Sequence, residues 1–345
     1  MTQADPTSGG RGGLLDADTP ETIRLTVAEA TTLGVLALRR IGYSEEEAGI
    51  IVDQLVDNAL CGYRFAGLPR ILAIAGNKKT HAARSPIKVV HDTPASALID
   101  GGNNVGYLAV YHGACVAIEK SRYCGLAAVG VYNSYYSGRN AYYVEKMVRA
   151  GLVAIHVASA EPRVLPPGAA RPALGTNPMC FGFPSDDGPV VFDMGTASIM
   201  GGELSFYALL GMELPEGTGF DEAGRPTRDP KEALRGGVRP FDGHKGYGLS
   251  FCVQALGLLA GAALTRGRVR DYAFLFLAIR PDILVPHGQF TQQMAAYVQE
   301  IKALPRQPGV AEIRVPFERA NRERCRRREE GIVIERRVVD ALNAL

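Results

Sequence analysis

Three glycines fall within six residues in the segment Pro240-Phe241-Asp242-Gly243-His244-Lys245-Gly246-Tyr247-Gly248, and two of them flank a His-Lys pair. Glycine lets backbone approach a ligand closely because no Cβ intervenes. A lysine beside the exposed N–H groups at the start of a helix suits a phosphate, since the first-turn donors and the helix dipole both favour an anion. An apolar run, Leu249–Leu264, follows at once and reads as a buried helix that would hold the loop rigidly. The spacing is neither G-x-x-x-x-G-K-[ST] nor the G-x-G-x-x-G dinucleotide fingerprint. On chemistry alone, a phosphate cradle and a Gly-rich turn before a core helix both stay open.

The elements that would position this loop form an α/β pattern. Thr26 with Glu29, and Ser44 with Glu47, have the spacing of capping boxes, so the chain is expected to open with two helices, to Arg40 and over Ala48–Leu60. A third helix is expected to start at Ile71–Ala75, followed by short strands at Ile87–Val90 and Ala97–Ile99. Helices at Gly106–Arg122 and Asn140–Ala150 then alternate with apolar strands at Leu126–Tyr132 and Leu152–Val157, the signature of an α/β layer with buried strands. Further on, strands are expected at Pro189–Phe192 and Tyr272–Ile279. Helices are expected at Glu203–Gly211, Leu249–Ala263, Phe290–Ala303 and Glu318–Glu330. The last of these mixes Arg322, Arg324, Arg326, Arg327 and Arg328 with Glu323, Glu329 and Glu330, which reads as a solvated helix face.

Composition bounds the partners. The 345 residues can bury a large core, and 46% hydrophobic with 21% charged residues is the balance of a globular protein. A net charge of +2 argues against a nucleic-acid surface. The six cysteines are scattered with no C-x-x-C pair, which fits free thiols in the cytoplasm and gives no metal site. The apolar run Leu249–Leu264 is broken by Gln254 and falls short of the ~20 residues a bilayer needs, so no membrane span is expected. His156, inside an apolar strand, reads as a core histidine.

Several short motifs recur in a telling order: Gly175-Thr176-Asn177-Pro178 after a Pro-rich loop, Phe192-Asp193-Met194-Gly195-Thr196 at a strand end, Leu214-Pro215-Glu216-Gly217, Gly224 to Leu234, the Gly243–Gly248 loop, Val315-Pro316-Phe317-Glu318 and Glu330-Gly331-Ile332. Together, over about residues 25–340, they resemble the malate/L-lactate dehydrogenase family that lies outside the Rossmann dehydrogenases and includes sulfolactate dehydrogenases and Δ1-piperideine-2-carboxylate reductases. The resemblance implies an α/β fold of malate/L-lactate dehydrogenase type: an NAD(P)-binding domain with a mixed sheet, plus a helical domain built from both chain ends. The corresponding division is a disordered tail over residues 1–20, helices over 21–85, the α/β domain over 86–288, and returning helices over 289–345. It also implies NADPH or NADH as cofactor, a small-molecule substrate, and a homodimer with the active site near the subunit boundary.

Carried over position by position, the resemblance also marks departures. The family's acid/base histidine lies in N-S-N-H-F-G, and the corresponding residues here are Asn133-Ser134-Tyr135-Tyr136-Ser137-Gly138. Tyr136 thus stands at the histidine position. A phenol keeps its proton at neutral pH and is able to donate it to a developing alkoxide or amine, but it is a poor base unless a cation such as a lysine lies near. Tyr136 is either that donor or a pocket wall. The family's substrate loop, L-R-G-[VH]-[DE]-S-H-G-x-x-R, becomes Leu60-Cys61-Gly62-Tyr63-Arg64-Phe65-Ala66-Gly67-Leu68-Pro69-Arg70. Arg64, Phe65 and Ala66 would face a larger or more apolar substrate, while Arg70 would grip a carboxylate in a two-pronged ion pair or serve a structural one. After Asp193 the family's Arg and Lys are replaced by Gly201 and Glu203, which loosens any phosphate grip there.

The rest of the cofactor framework is kept. Asp193 would orient the acid/base group or the nicotinamide amide, or else cap the next segment. Ser134, Thr176, Asn177, Met194, Gly195, Thr196, His244, Lys245 and Gly246 are the expected cofactor residues. Three functions fit. The first is reduction of a C=N or C=O bond beside a carboxylate, in a cyclic imine or bulky 2-oxo acid, with the proton from Tyr136 or a water. The second is non-redox chemistry (isomerase, cyclase or condensing enzyme) in the same pocket. The third is a non-catalytic scaffold, against which the retained Gly243–Gly248 loop counts.

Overall fold

The computed structural model describes residues 21–265, 268–269 and 272–345, so the tail assigned to residues 1–20 lies outside the described residues. Strand β1 (Thr22–Leu25) leads into helix α1 (Val27–Arg40), and α2 (Glu45–Leu60) follows. Both capping boxes close as their spacing requires. Glu29 N–H donates to the Thr26 hydroxyl at 3.2 Å while Thr26 N–H donates to the Glu29 carboxylate at 2.8 Å, and Ser44 and Glu47 repeat the exchange. Residues Arg64–Ala66 make a 3₁₀ turn before α3 (Pro69–Ala75).

Next come β2 (Lys88–Thr93), β3 (Ser96–Val105), α4 (Gly106–Cys124), β4 (Leu126–Tyr135), α5 (Asn140–Arg149), β5 (Val153–Ser159), β6 (Met179–Phe183) and β7 (Val190–Met194). A smaller lobe holds α6 (Gly201–Leu210), β8 (Gly219–Phe220), β9 (Pro226–Thr227), α7 (Pro230–Arg235) and β10 (Gly237–Val238), around a core that includes Val164, Leu204, Leu214 and Val238. Helix α8 (His244–Leu259), the short β11 (Leu264–Thr265) and β12 (Arg268–Val269), strand β13 (Tyr272–Ile279) and α9 (Gln289–Ala303) complete this part.

The large sheet is seven-stranded and mixed, in the order β2-β3-β4-β13-β5-β6-β7. Only β3 and β4 run parallel; the other neighbours are antiparallel. β13 inserts between β4 and β5, buries Phe274 and Phe276 in the core with Val129, Val131 and Met147, and brings Tyr272 opposite Ser134. His156 is buried there: its ring stacks on Phe276 with centroids 3.9 Å apart, and Nδ1 lies 3.1 Å from the Leu275 carbonyl, which only accepts, so Nδ1 carries the proton. Burial holds its pKa down at about 3, as expected of a neutral core histidine.

The chain then returns through α10 (Glu318–Glu330), β14 (Ile332–Glu335) and α11 (Arg336–Asn343), and β14 pairs antiparallel with β1. The chain divides into two compact units: the residues up to Ala75 with Arg319–Leu345, and Gly76–Glu318. Helix α9, assigned from sequence to the returning segment, falls in the α/β unit, where Asp186 N–H donates to the Thr291 carbonyl and Gln299 donates to Asp187. α10 departs from the solvated face expected of it. Arg324 is buried and makes a two-pronged ion pair with Asp57 of α2, at 2.8 and 3.0 Å, and buried Arg327 donates to the Ala59 carbonyl. Two of the arginines are therefore packing residues, stabilised by partners that a one-dimensional charge pattern does not reveal. Among the described residues no helix is long and apolar enough to cross a membrane, and no group of three His, Cys, Asp or Glu side chains is placed to hold a metal.

Candidate active site

Helix α8 begins at His244, before the apolar run that marked it in the sequence, so His244 and Lys245 lie in its first turn. The turn into it is tight, with Asp242 at φ 39° and Gly243 at φ 58°. No side chain of the N-cap residue closes the helix end, and its first N–H groups are left for an anion. Gly246 has no substitute: a Cβ there would lie 1.8 Å from the Phe241 carbonyl oxygen. Lys245 is exposed, 3.3 Å from the Asp242 carboxylate.

Three loops are laced beneath this helix. Buried Thr196 donates its N–H and hydroxyl to the Thr176 carbonyl at 3.1 Å, and Phe241 N–H donates to the Thr196 carbonyl. Asn177, fully buried at φ 37°, donates its amide to the Ser250 carbonyl (2.9 Å) and to Gln254 Oε1 (3.1 Å), both on α8. A Cβ at Gly175 would meet the Asn177 side chain at 2.4 Å and the Ala160 carbonyl at 2.6 Å, so that loop is closed to any larger residue. Gln254, a polar break in the apolar run, thus ties α8 to the Thr176-Asn177 loop together with Ser250. Met194 and Asp193 end β7, opposite Met179 and Cys180.

The second cluster lies at the end of β4. Buried Ser134 donates to the Asn104 carbonyl at 2.6 Å, and Asn133, at φ 51°, donates to Asp100 at 2.7 Å. Tyr136 also lies in the left-handed region, at φ 54°. Its ring meets Tyr135 and Tyr272 edge to face, at centroid distances of 5.6 and 6.1 Å. Tyr143 donates to the Ser137 carbonyl at 2.6 Å, closing the loop. Asp193 then caps α5: its carboxylate accepts from Ala141 N–H at 2.8 Å. Desolvation pushes the Asp193 carboxyl up to about 6, against the pull of the Ala141 N–H, the Arg139 charge and the Asn140 N–H, with Glu145 adding to the rise. Arg139 pairs with buried Glu145 at 3.1 Å, which also meets Arg149 at 3.3 Å. Asn140, buried at the first position of α5, has no hydrogen-bond partner for either side-chain amide atom.

The malate/L-lactate dehydrogenase family model matches residues 25–343. This chain belongs to that family. The malate/(S)-sulfolactate dehydrogenase of Methanothermus fervidus is 32% identical over 328 residues, covering 92% of this chain and 95% of the relative. The Δ1-pyrroline-2-carboxylate reductase of Ancylobacter novellus is 32% identical, over 94% and 98%. The solved malate dehydrogenase of Pyrococcus horikoshii superposes with a TM-score of 0.83 at 27% identity, over 95% and 96%. As a member of the malate/L-lactate dehydrogenase family the chain is an NAD(P)-dependent oxidoreductase, with NADPH or NADH as its cofactor. Its own residues fit such a group: an uncapped helix N-terminus, an exposed lysine in its first turn, and a backbone approach at Gly246 that a Cβ would fill.

In this family member the α/β unit brings Thr176, Asn177 and Thr196 together by hydrogen bonds beneath α8, and Tyr136 and Asp193 act on one segment, the turn into α5. The residues expected at the substrate lie in the other unit. Arg70 is half-buried near the start of α3, Phe65 is half-buried and Ala66 buried on the 3₁₀ turn. Arg64 differs from its expected place: it is buried and its guanidinium lies 2.6 Å from the Glu335 carboxylate, also buried. Burial of both charges demands that pairing, so Arg64 holds β14 to the turn. Sequence reasoning also passed over Lys79, whose ammonium lies 5.8 and 5.9 Å from the ring centroids of Tyr135 and Tyr272. No periodicity or motif marks it, because Tyr272 is distant in sequence.

Proposed function

We propose that this protein is an NAD(P)H-dependent reductase of a C=N or C=O bond beside a carboxylate, in a substrate of the cyclic imine or bulky 2-oxo acid type. The observation that carries this is Tyr136. A bulky non-glycine residue kept at positive φ costs on the order of 1–3 kcal/mol, and such strain clusters where a side chain must be aimed. It stands where the resemblance puts the family's acid/base group, in a chain with relatives named for reducing pyrroline-2-carboxylate.

When bound, the nicotinamide supplies the hydride. The phenol of Tyr136, or a water it holds, gives the proton to the developing amine or alkoxide. Asp193 positions that phenol by capping α5, whose first residue, Asn140, lies four residues beyond Tyr136. His244, Lys245 and the N–H groups of the first turn of α8, with Gly246, hold cofactor phosphate. Ser134, Thr176, Asn177, Met194, Gly195 and Thr196 present backbone and small groups along the cofactor, since the side chains of Ser134, Asn177 and Thr196 are committed to internal hydrogen bonds. Arg70 is assigned to the substrate's acidic group, with Phe65 and Ala66 as apolar wall.

The protein acts as a homodimer in this reading. Phe251, Cys252, Ala255, Leu258 and Leu259 form an exposed apolar stripe along α8, the helix that also carries His244 and Lys245, and a second copy would cover it beside the site.

Fluorescence titration with NADPH and then NADH tests the redox framework; no binding of either up to ~1 mM, about −4 kcal/mol, would overturn it. With Δ1-pyrroline-2-carboxylate as substrate, Tyr136→Phe is expected to lower turnover by about 100-fold or more while cofactor affinity holds. Unchanged turnover would remove Tyr136 from the mechanism.

A further inference from the structure

We propose that Arg139 is a positioning residue for the reduction: its buried ion pair with Glu145 fastens the turn that carries Tyr136 to the body of α5, and its charge helps keep Asp193 a carboxylate where it caps that helix. This rests on Tyr136 as the proton donor. Arg139 stands three residues beyond Tyr136 and is the N-cap residue of α5, in extended backbone at φ −83° and ψ 124°. It makes no side-chain cap of its own. Its guanidinium instead reaches six residues along the chain, where Nη2 donates to Glu145 Oε1 at 3.1 Å. Both side chains are buried, at 7% and 4% exposed. Glu145 Oε2 in turn accepts from Arg149, the last residue of α5, at 3.3 Å.

Two buried charges brought together in this way are costly to separate, since stranding either leaves it uncompensated away from water. The pair is therefore a stiff link between the turn and the helix. It works beside two hydrogen bonds on the same segment: Tyr143 donates to the Ser137 carbonyl at 2.6 Å, and Asp193 accepts from Ala141 N–H at 2.8 Å. Asn140, between Arg139 and Ala141, adds nothing through its side chain, whose two amide atoms are buried without a hydrogen-bond partner. The titratable and charged groups around Asp193 are Arg139 from the turn, Glu145 from α5 and Cys180 from the neighbouring strand β6. Burial pushes the Cys180 thiol well above its ordinary range, so it brings no charge at neutral pH. Desolvation raises the Asp193 carboxyl, the Ala141 N–H and the Arg139 charge oppose that rise, and Glu145 adds a smaller one. An ionised carboxylate accepts the N–H groups of a helix end more strongly than a neutral carboxyl does. Arg139 thus serves the turn twice, through its contact with Glu145 and through its charge on Asp193.

The test compares Arg139→Met, Arg139→Lys and the double variant Arg139→Met/Glu145→Leu in the full-length protein, with NADPH and either Δ1-pyrroline-2-carboxylate or oxaloacetate. Arg139→Met is expected to lower kcat about tenfold to a hundredfold while KM and NADPH affinity stay within about threefold, the pattern of a misplaced donor. Arg139→Lys, which keeps the charge, is expected to restore part of the rate. Infrared titration of the Asp193 carboxyl, assigned by difference against Asp193→Asn, needs no substrate. Its midpoint should lie at about 6 in the wild type and rise above about 7 in Arg139→Met. The double variant replaces the buried pair with apolar side chains and should keep the thermal stability of the fold. Its kcat should nevertheless stay low, and its midpoint should stay above that of the wild type. Return of kcat to the wild-type value in the double variant, or an unmoved midpoint in Arg139→Met, would overturn the proposal and make Arg139 a packing residue. In a Tyr136→Phe background, Arg139→Met should cost nothing further, and equal losses in both backgrounds would likewise overturn it. If Tyr136→Phe alone leaves turnover intact, the donor assignment fails first, and the positioning role falls with it. No turnover of either substrate by the wild type would overturn both.

Discussion

Asparagine at position 193 would keep the cap on α5 and delete the charge. An asparagine oxygen accepts the Ala141 N–H as a carboxylate does. In the wild type, the folded protein raises the Asp193 carboxyl from its ordinary 3.8 to about 6, because desolvation outweighs its hydrogen bonds and the Arg139 charge. The folded state thus binds this proton more tightly than the unfolded state. The penalty is absent below pH 3.8, grows as pH rises towards 6, and is complete above it. At about 1.4 kcal/mol per tenfold change in proton affinity it reaches about 3 kcal/mol, and partial exposure of the carboxylate trims this towards 1–3 kcal/mol. Asp193→Asn should therefore match the wild type near pH 4 and exceed it by about 1–3 kcal/mol at pH 7. Urea unfolding of both proteins, followed by circular dichroism from pH 4 to 7, measures the difference directly, and contributions from every other titrating group cancel. A difference that stays constant with pH, or that turns against Asp193→Asn as pH rises, would refute the assignment of a desolvated capping carboxylate. Asp193→Ala, which deletes the cap as well, should lose about 0.5–2 kcal/mol relative to Asp193→Asn and should lower turnover by releasing the Tyr136 segment.

Three further outcomes follow from local geometry. Gly246→Ala should abolish cofactor binding and lower the melting temperature, because its Cβ would lie 1.8 Å from the Phe241 oxygen, whereas Gly248→Ala, with no heavy atom within 4 Å of its Cβ, should be neutral or stabilise α8 by up to about 1 kcal/mol; thermal melts of the two decide. Arg64→Met should cost about 3–5 kcal/mol by stranding buried Glu335, and adding Glu335→Leu should recover most of it; a recovered fold with a substrate KM raised tenfold would return Arg64 to the substrate site. Nitrogen-15 NMR should find the His156 ring neutral from pH 4 to 8, protonated at Nδ1, and an apparent pKa near 6.5 would refute its burial against Phe276 and Leu275.

What the sequence determined alone were the features whose causes are local or whose order is distinctive. The capping boxes at Thr26 and Ser44 are written in four residues each, and they close as read. The ordered motifs from Gly175 to Gly331 placed the chain in its family and implied a mixed sheet. Glycine at 246 announced a backbone contact without saying with what. Tertiary structure alone decided the rest, because those facts depend on partners far along the chain. β13 enters the middle of the sheet between strands over a hundred residues earlier, and so brings Tyr272 to Tyr136. Arg64 and Arg324 read as surface or substrate charges until Glu335 and Asp57 come to meet them. Asp193 at a strand end read as an orienting carboxylate or else as a cap, and only the folded position of α5 supplied the N–H it accepts. Lys79 carries no pattern in its neighbours, since a charge acquires its meaning from the rings and carbonyls that packing sets around it.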